Sequence, residues 1–146
     1  MGKLNGQVAI ITGGARGIGE GICKVFCNEG AMVALWDIMD EGQNTADRIK
    51  DEGGEIIFQK VNVSDQSSVD KAVEKLISEY GKIDILINNA GIIRDRSFLK
   101  MSRDEWDRVI DVNINSLYVT TRTVLPHMKE AKYGRIINAS SINAFQ

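Results

Sequence analysis

The stretch Val8-Ala9-Ile10-Ile11-Thr12-Gly13-Gly14-Ala15-Arg16-Gly17-Ile18-Gly19 decides the fold. Its first half is an apolar, β-branched run without polar interruption, the pattern of a strand covered on both faces in a parallel sheet. Its second half is glycine-rich and runs straight into a helical pattern over 17–29. Glycines let the backbone turn tightly and approach a pyrophosphate, whose charge is then held by free N–H groups at the helix N-terminus. A glycine-rich turn alone is a weak signal, and a plain tight turn is its competing reading. The context strengthens it: Asp37 follows Gly19 by eighteen residues, at the carboxyl end of the next strand, where an acid takes both hydroxyls of an adenosine ribose.

Outward from this stretch, apolar runs and longer amphipathic segments alternate. Val8 to Thr12, Met32 to Trp36, Ile56 to Val61, Ile83 to Ile87 and Arg135 to Ala139 read as strands; helical patterns lie at 17–29, 41–52, 66–80 and 102–131. Ser102 with Glu105 is a capping box opening the last helix, and Ser64 or Asp65 can cap the third. Gly30, Gly53, Gly54, Gly81 and Gly134 stand where helices hand over to strands. This order predicts an α/β, doubly wound parallel sheet of five strands in order 3-2-1-4-5, with right-handed crossovers. Its ligand crevice should open at the carboxyl ends of strands 1 and 4, which brings the loop after Thr12 beside the loop after Ile87. No repeat, low-complexity tract or linker divides residues 1–146, which read as one dinucleotide-binding domain.

Composition narrows the function classes. The formal charge is −2, with Lys and Arg scattered among Asp and Glu, so no basic stripe suits a nucleic-acid backbone. No apolar run approaches the roughly 20 residues of a membrane span, and the N-terminal MGKLNGQ lacks the apolar stretch of a secretion signal, so a cytoplasmic location is expected. Cys23 and Cys27 are too few for a structural zinc site and read as small buried side chains; no metal is expected. His127, the single histidine, has no visible partner for acid-base work.

The motif Thr12-Gly13-x-x-x-Gly17-x-Gly19 resembles that of the short-chain dehydrogenase/reductase family, and Asn88-Asn89-Ala90-Gly91 resembles its second motif. The resemblance implies a nicotinamide cofactor held by the glycine loop, including Arg16 and Ile18, by Asp37 and Ile38, and by Asn89, Ala90 and Gly91. Asn62 and Val63 fall where the family holds the adenine; many members have Asp in place of Asn, and either can accept from an exocyclic amine. Asn113 is similar to the family's active-site asparagine, which helps order a water in the proton path. Ser141 is similar to the serine that hydrogen-bonds the substrate oxygen, with Ser140 as the competing choice. Asp37 favours NAD(H), because a carboxylate at the ribose repels a 2′-phosphate; NADP is the less favoured cofactor, with Arg16 as its counterweight.

The family's Tyr-x-x-x-Lys proton donor is not in these 146 residues. Tyr80 and Tyr133 lack the following lysine, and Tyr118 with Arg122 imitates the spacing but precedes the serine. An unperturbed phenol near pKa 10 is a poor acid at neutral pH, so this chain by itself is expected to lack reductase activity. The stretch Asn88 to Met101, with Trp106, resembles the 3-oxoacyl-carrier-protein and acetoacetyl-CoA reductase branch. That implies hydride transfer to a small-molecule carbonyl, a 3-oxoacyl thioester; NAD-dependent alcohol or sugar oxidation is the alternative. Three readings stay open: a partial view of a full reductase, a short chain that binds a dinucleotide without catalysis, and an interaction protein that kept the fold. A chain truly ending at Gln146 is expected to leave an unpaired edge at the fifth strand, and to uncover Leu117, Val119, Val124 and Leu125, favouring self-association. The complete protein is expected to be a homo-oligomer.

Overall fold

The computed structural model describes residues 2–95 and 97–140. Five strands, β1 (Val8–Thr12), β2 (Met32–Asp37), β3 (Glu55–Lys60), β4 (Ile85–Asn88) and β5 (Arg135–Asn138), form one parallel sheet in order β3-β2-β1-β4-β5. The order is the one anticipated, because each of the first four strands is followed by a helix long enough to cross back over the sheet. Register is set by pairs such as Ile10↔Ala34, Ile10↔Leu86 and Leu86↔Ile136.

The alternation of β1 divides the core. Val8 and Ile10 point to one face, against α3 (Gln66–Tyr80) and the last helix through Val69, Val73, Leu76, Val124 and Met128. Ala9 and Ile11 point to the other, against α1 (Gly17–Asn28) and α2 (Glu41–Asp51) through Cys23, Cys27, Ala46 and Ile49. Both faces of the central strands are thus dry, which is why their sequence is continuously apolar. Within the first layer, Trp36 donates its indole N–H to Gln59 at 2.7 Å, and Gln59 in turn donates to the Ala72 carbonyl at 3.1 Å.

Asp65, not Ser64, caps α3, accepting from the Ser68 N–H at 2.9 Å. Ser64 instead donates to the Asp111 carbonyl at 3.1 Å. The anticipated continuous helix over 102–131 is three pieces: α4 (Arg103–Ile110), opened by the Ser102–Glu105 capping box, a π-helical turn (Asp111–Asn115), and α5 (Ser116–Glu130). A turn of 3₁₀ helix, Phe98–Lys100, precedes them. The π turn falls where tertiary partners claim the helix: Asp111 accepts from Ser64, and Asn113 holds the loop after β4 by both ends of its amide. Such widened turns mark places where a helix shifts its ladder to meet a neighbour.

One expectation about α5 is corrected. Val124 is fully buried, and Val119 packs against the same core, because the 116-120-124-128 stripe faces the sheet. The exposed apolar side chains of this region are Ile114, Tyr118 and Leu125.

Candidate functional site

At the carboxyl edge of the sheet, where connections leave β1 and β4 in opposite directions, lies a crevice of about 180 Å³. Its walls come from the ends of four strands and one helix: Gly13 and Arg16 after β1, Trp36 to Met39 at β2, Val61 to Val63 after β3, Ala90 to Ile92 after β4, and Arg108 with Val112 above.

Thr12 joins the two central lips of this crevice. Its hydroxyl, 1% exposed at residue level, accepts the backbone N–H groups of Asn89 at 3.0 Å and Ala90 at 2.9 Å, and donates to the Ile87 carbonyl at 3.3 Å. The Asn89 side chain returns the link, donating to the carbonyls of Thr12 at 3.1 Å and Gly13 at 3.3 Å. The glycine loop is therefore tied from below before any ligand arrives. It also has no room for side chains: a Cβ on Gly13, whose φ is +66°, falls 2.8 Å from the Ala90 Cα, and one on Gly19 falls 2.0 Å from the Gly13 carbonyl oxygen. Such an open backbone before a helix leaves N–H groups for an anion.

Asp37 stands next along the wall. Its Oδ2 accepts from the Ala15 N–H at 3.1 Å and its Oδ1 from the Met39 N–H at 3.0 Å. Both oxygens are oriented by backbone, and each keeps a lone pair for a further donor. At the far end, the Asn62 Oδ1 accepts from the Ser64 N–H at 3.1 Å, closing a local turn that leaves its NH₂ free of hydrogen bonds among the described residues. Above β4, Asn113 accepts from the Ile92 N–H at 2.8 Å and donates to the Ile92 carbonyl at 3.0 Å.

A match to the family "short chain dehydrogenase" runs over residues 7–146. The chain belongs to the short chain dehydrogenases. It is 46% identical over 142 residues to the 3-oxoacyl-[acyl-carrier-protein] reductase FabG of Chlamydia pneumoniae, covering 97% of this chain and 57% of that protein. It is 45% identical over 142 residues to the oxidoreductase UcpA of Salmonella typhimurium, covering 97% and 54%. Among solved structures, a metagenomic short-chain oxidoreductase in complex with NADP superposes with a TM-score of 0.89 at 34% identity, covering 95% of this chain and 64% of that one. The chain spans little more than half the length of these curated relatives.

Within this short chain dehydrogenase fold, Gly13, Arg16, Asp37, Ile38, Asn62, Val63, Ala90 and Gly91 all line one crevice. Gly17, Ile18, Gly19 and Asn89 do not line it; Gly19 and Asn89 act by supporting the loop, and Ile18 is exposed. Ser140 is exposed beyond β5, and Ser141 lies outside the described residues. Tyr118 is engaged on the surface, accepting from the Arg122 guanidinium at 2.8 Å.

Three residues of the crevice and its frame escaped the sequence reading. Thr12 was read only as a motif letter. Asn88 accepts from the Thr120 hydroxyl at 2.7 Å and donates to the Asn138 Oδ1 at 2.9 Å, fastening α5 and β5 to β4. Arg108 reaches the crevice from a helix remote in sequence, and only the four-residue step to Val112 hinted at a shared face. Cys23 and Cys27 are buried, and burial pushes their thiols up to about 12 and about 11. Among the described residues, no group of three or more His, Cys, Asp or Glu is poised for a metal, and no helix is long and apolar enough to cross a membrane.

Proposed function

We propose that this chain binds a nicotinamide adenine dinucleotide and forms the cofactor half of an oxidoreductase, with NAD(H) preferred over NADP(H). The observation that carries the reading is Asp37, oriented by Ala15 and Met39 in the crevice between the glycine loop and Asn62. The cofactor fits the residues present: the cradle of Gly13 and Gly19 would be filled by any Cβ, and the helix behind it favours pyrophosphate. Gly13, Arg16 and Gly17 to Gly19 take the phosphates, Asp37 and Ile38 the adenosine ribose, Asn62 and Val63 the adenine, and Asn89 to Gly91 the opposite lip. When bound, the nicotinamide supplies a hydride to a carbonyl carbon, or accepts one from a secondary alcohol.

The chain's own residues orient and exclude rather than donate the proton. Asn113 holds Ile92 and so fixes the lip beside the nicotinamide half, and it helps order the proton path. Ser141 is assigned to the substrate oxygen. The complete protein supplies the proton donor, and its substrate is a small carbonyl compound, a 3-oxoacyl thioester, a choice supported by relatives named as 3-oxoacyl-[acyl-carrier-protein] reductases. The similarly matched UcpA, named only as an oxidoreductase, keeps alcohol oxidation as the second reading. A cytoplasmic homo-oligomer is the assembly proposed, with the exposed face of α5 as its contact.

Fluorescence titration of the chain with NADH and NADPH tests the reading. Saturable binding with NADH at least about tenfold tighter is expected, the size of one charge conflict at the ribose. Binding of neither dinucleotide overturns the cofactor assignment; tighter NADPH binding, as in the NADP complex of the structural neighbour, overturns the preference.

A further inference from the structure

Most arginines of this chain have partners. Arg48 pairs with Glu20, Arg103 with Asp107, Arg122 with Tyr118, and Arg94 and Arg135 bond to nearby carbonyls. Among the described residues, only the guanidiniums of Arg16 and Arg108 make no hydrogen bond, ion pair or ring contact, and both line the crevice. Arg108 is unpaired although Asp104 and Asp111 stand one helical turn away on either side.

Its placement is specific. Arg108 and Val112 are successive on one helix stripe, and the bond from Ser64 to the Asp111 carbonyl presses that stripe against the loop after β3. Arg108 thus lines the same crevice as Asn62 and Val63, which stand two strands away from the glycine loop, or about 10 Å at ordinary strand spacing. Phosphates gather at the glycine loop, so the ligand surface offered to Arg108 is the base. A guanidinium is planar and weakly hydrated, and it stacks on aromatic faces in a way an ammonium does not.

We propose that Arg108 is a specificity-determining residue that stacks on the purine of the dinucleotide, closing the adenine end of the crevice with Val112. The inference rests on the dinucleotide reading. It predicts that ligands carrying the adenosine half depend on Arg108, and that ligands lacking it do not.

The test is calorimetric or fluorescence titration of the chain and its R108A and R108K variants with NADH, ADP-ribose and nicotinamide mononucleotide. With R108A, binding of NADH and ADP-ribose should weaken by about three- to thirtyfold, the range spanned by exposed and desolvated cation–π contacts. R108K should weaken binding nearly as much, because it keeps the charge and loses the plane, and nicotinamide mononucleotide should be unaffected by either change. Equal affinities for wild type and R108A, or full rescue by R108K, overturn the stacking role. Failure of the wild-type chain to bind ADP-ribose overturns the dinucleotide reading itself. The melting temperature should not change in either variant, since the side chain holds nothing in the free protein.

Discussion

The Thr12 hydroxyl accepts the Ala90 N–H at 2.9 Å, so the end of β1 and the start of the loop after β4 are one hydrogen-bonded unit. The Asn89 N–H reaches the same oxygen at 3.0 Å. Replacing Thr12 with Val keeps the shape and removes the acceptor. Leaving either N–H without a partner costs about 1–3 kcal/mol. Urea unfolding of T12V should show a loss of at least that order, with T12S recovering most of it; an unchanged midpoint would mean that water satisfies both groups.

Gly19 gives the second prediction. A methyl there collides with the Gly13 carbonyl oxygen and sits 2.8 Å from the Asn89 Nδ2, so the loop must unseat from its brace. G19A should lose dinucleotide binding by about a hundredfold, which corresponds to the upper end of the roughly 1–3 kcal/mol of a strained site. A G21A control should bind normally, because a Cβ at Gly21 meets open space. Normal binding by G19A would show that the loop does not hold the phosphates.

Asp37 carries cofactor choice. D37S removes the carboxylate that would repel a 2′-phosphate, and the NADH-to-NADPH affinity ratio should fall by about ten- to a hundredfold. The same change removes the acceptor of the Ala15 and Met39 N–H groups, so some loss of NADH affinity should accompany it. A ratio that does not move would separate Asp37 from the ribose.

The two cysteines set a pH limit. Burial, aided by their mutual proximity, raises the Cys23 thiol to about 12, and burial with Glu55 nearby raises Cys27 to about 11. Unfolded thiols ionise from about pH 8.5. Between that pH and 11–12 the folded state binds more protons than the unfolded state, so their contribution to stability is complete below about pH 8.5 and is lost as pH rises. Stability of the C23A/C27A variant should fall less over this range than that of wild type. Thiol reagents at pH 8 should label both residues at the rate of unfolding; rapid labelling of the native chain would contradict their burial.

What could be read from sequence follows from how local each signal was. The strand β1 and its glycine turn are legible because apolar burial on both faces and the need for open backbone act within twelve consecutive residues. Asp37 and Asn62 were locatable because one ends a strand and the other lies just past one, and the strand order carries them to one edge. Asn89 was placed at the crevice but not in its bracing role, since that depends on which carbonyls lie beneath it. The π turn and Arg108 were illegible for the same reason: helical periodicity continues through 111–115, and only contacts with Ser64 and Ile92 reveal the break.

That turn also sets the phase of everything after it. Each residue of an α-helix advances the face by 100°. Deleting one residue from 111–115 would regularise the helix yet rotate α5 by roughly that angle, swinging Thr120 away from Asn88 and Val124 out of the core. The local backbone would gain and the molecule would lose. The widened turn works as a joint that lets one rod answer to two addresses, with α4 aimed at the crevice and α5 seated on the sheet, so substitutions there that spare the Asn113 amide are tolerable where changes of length are not.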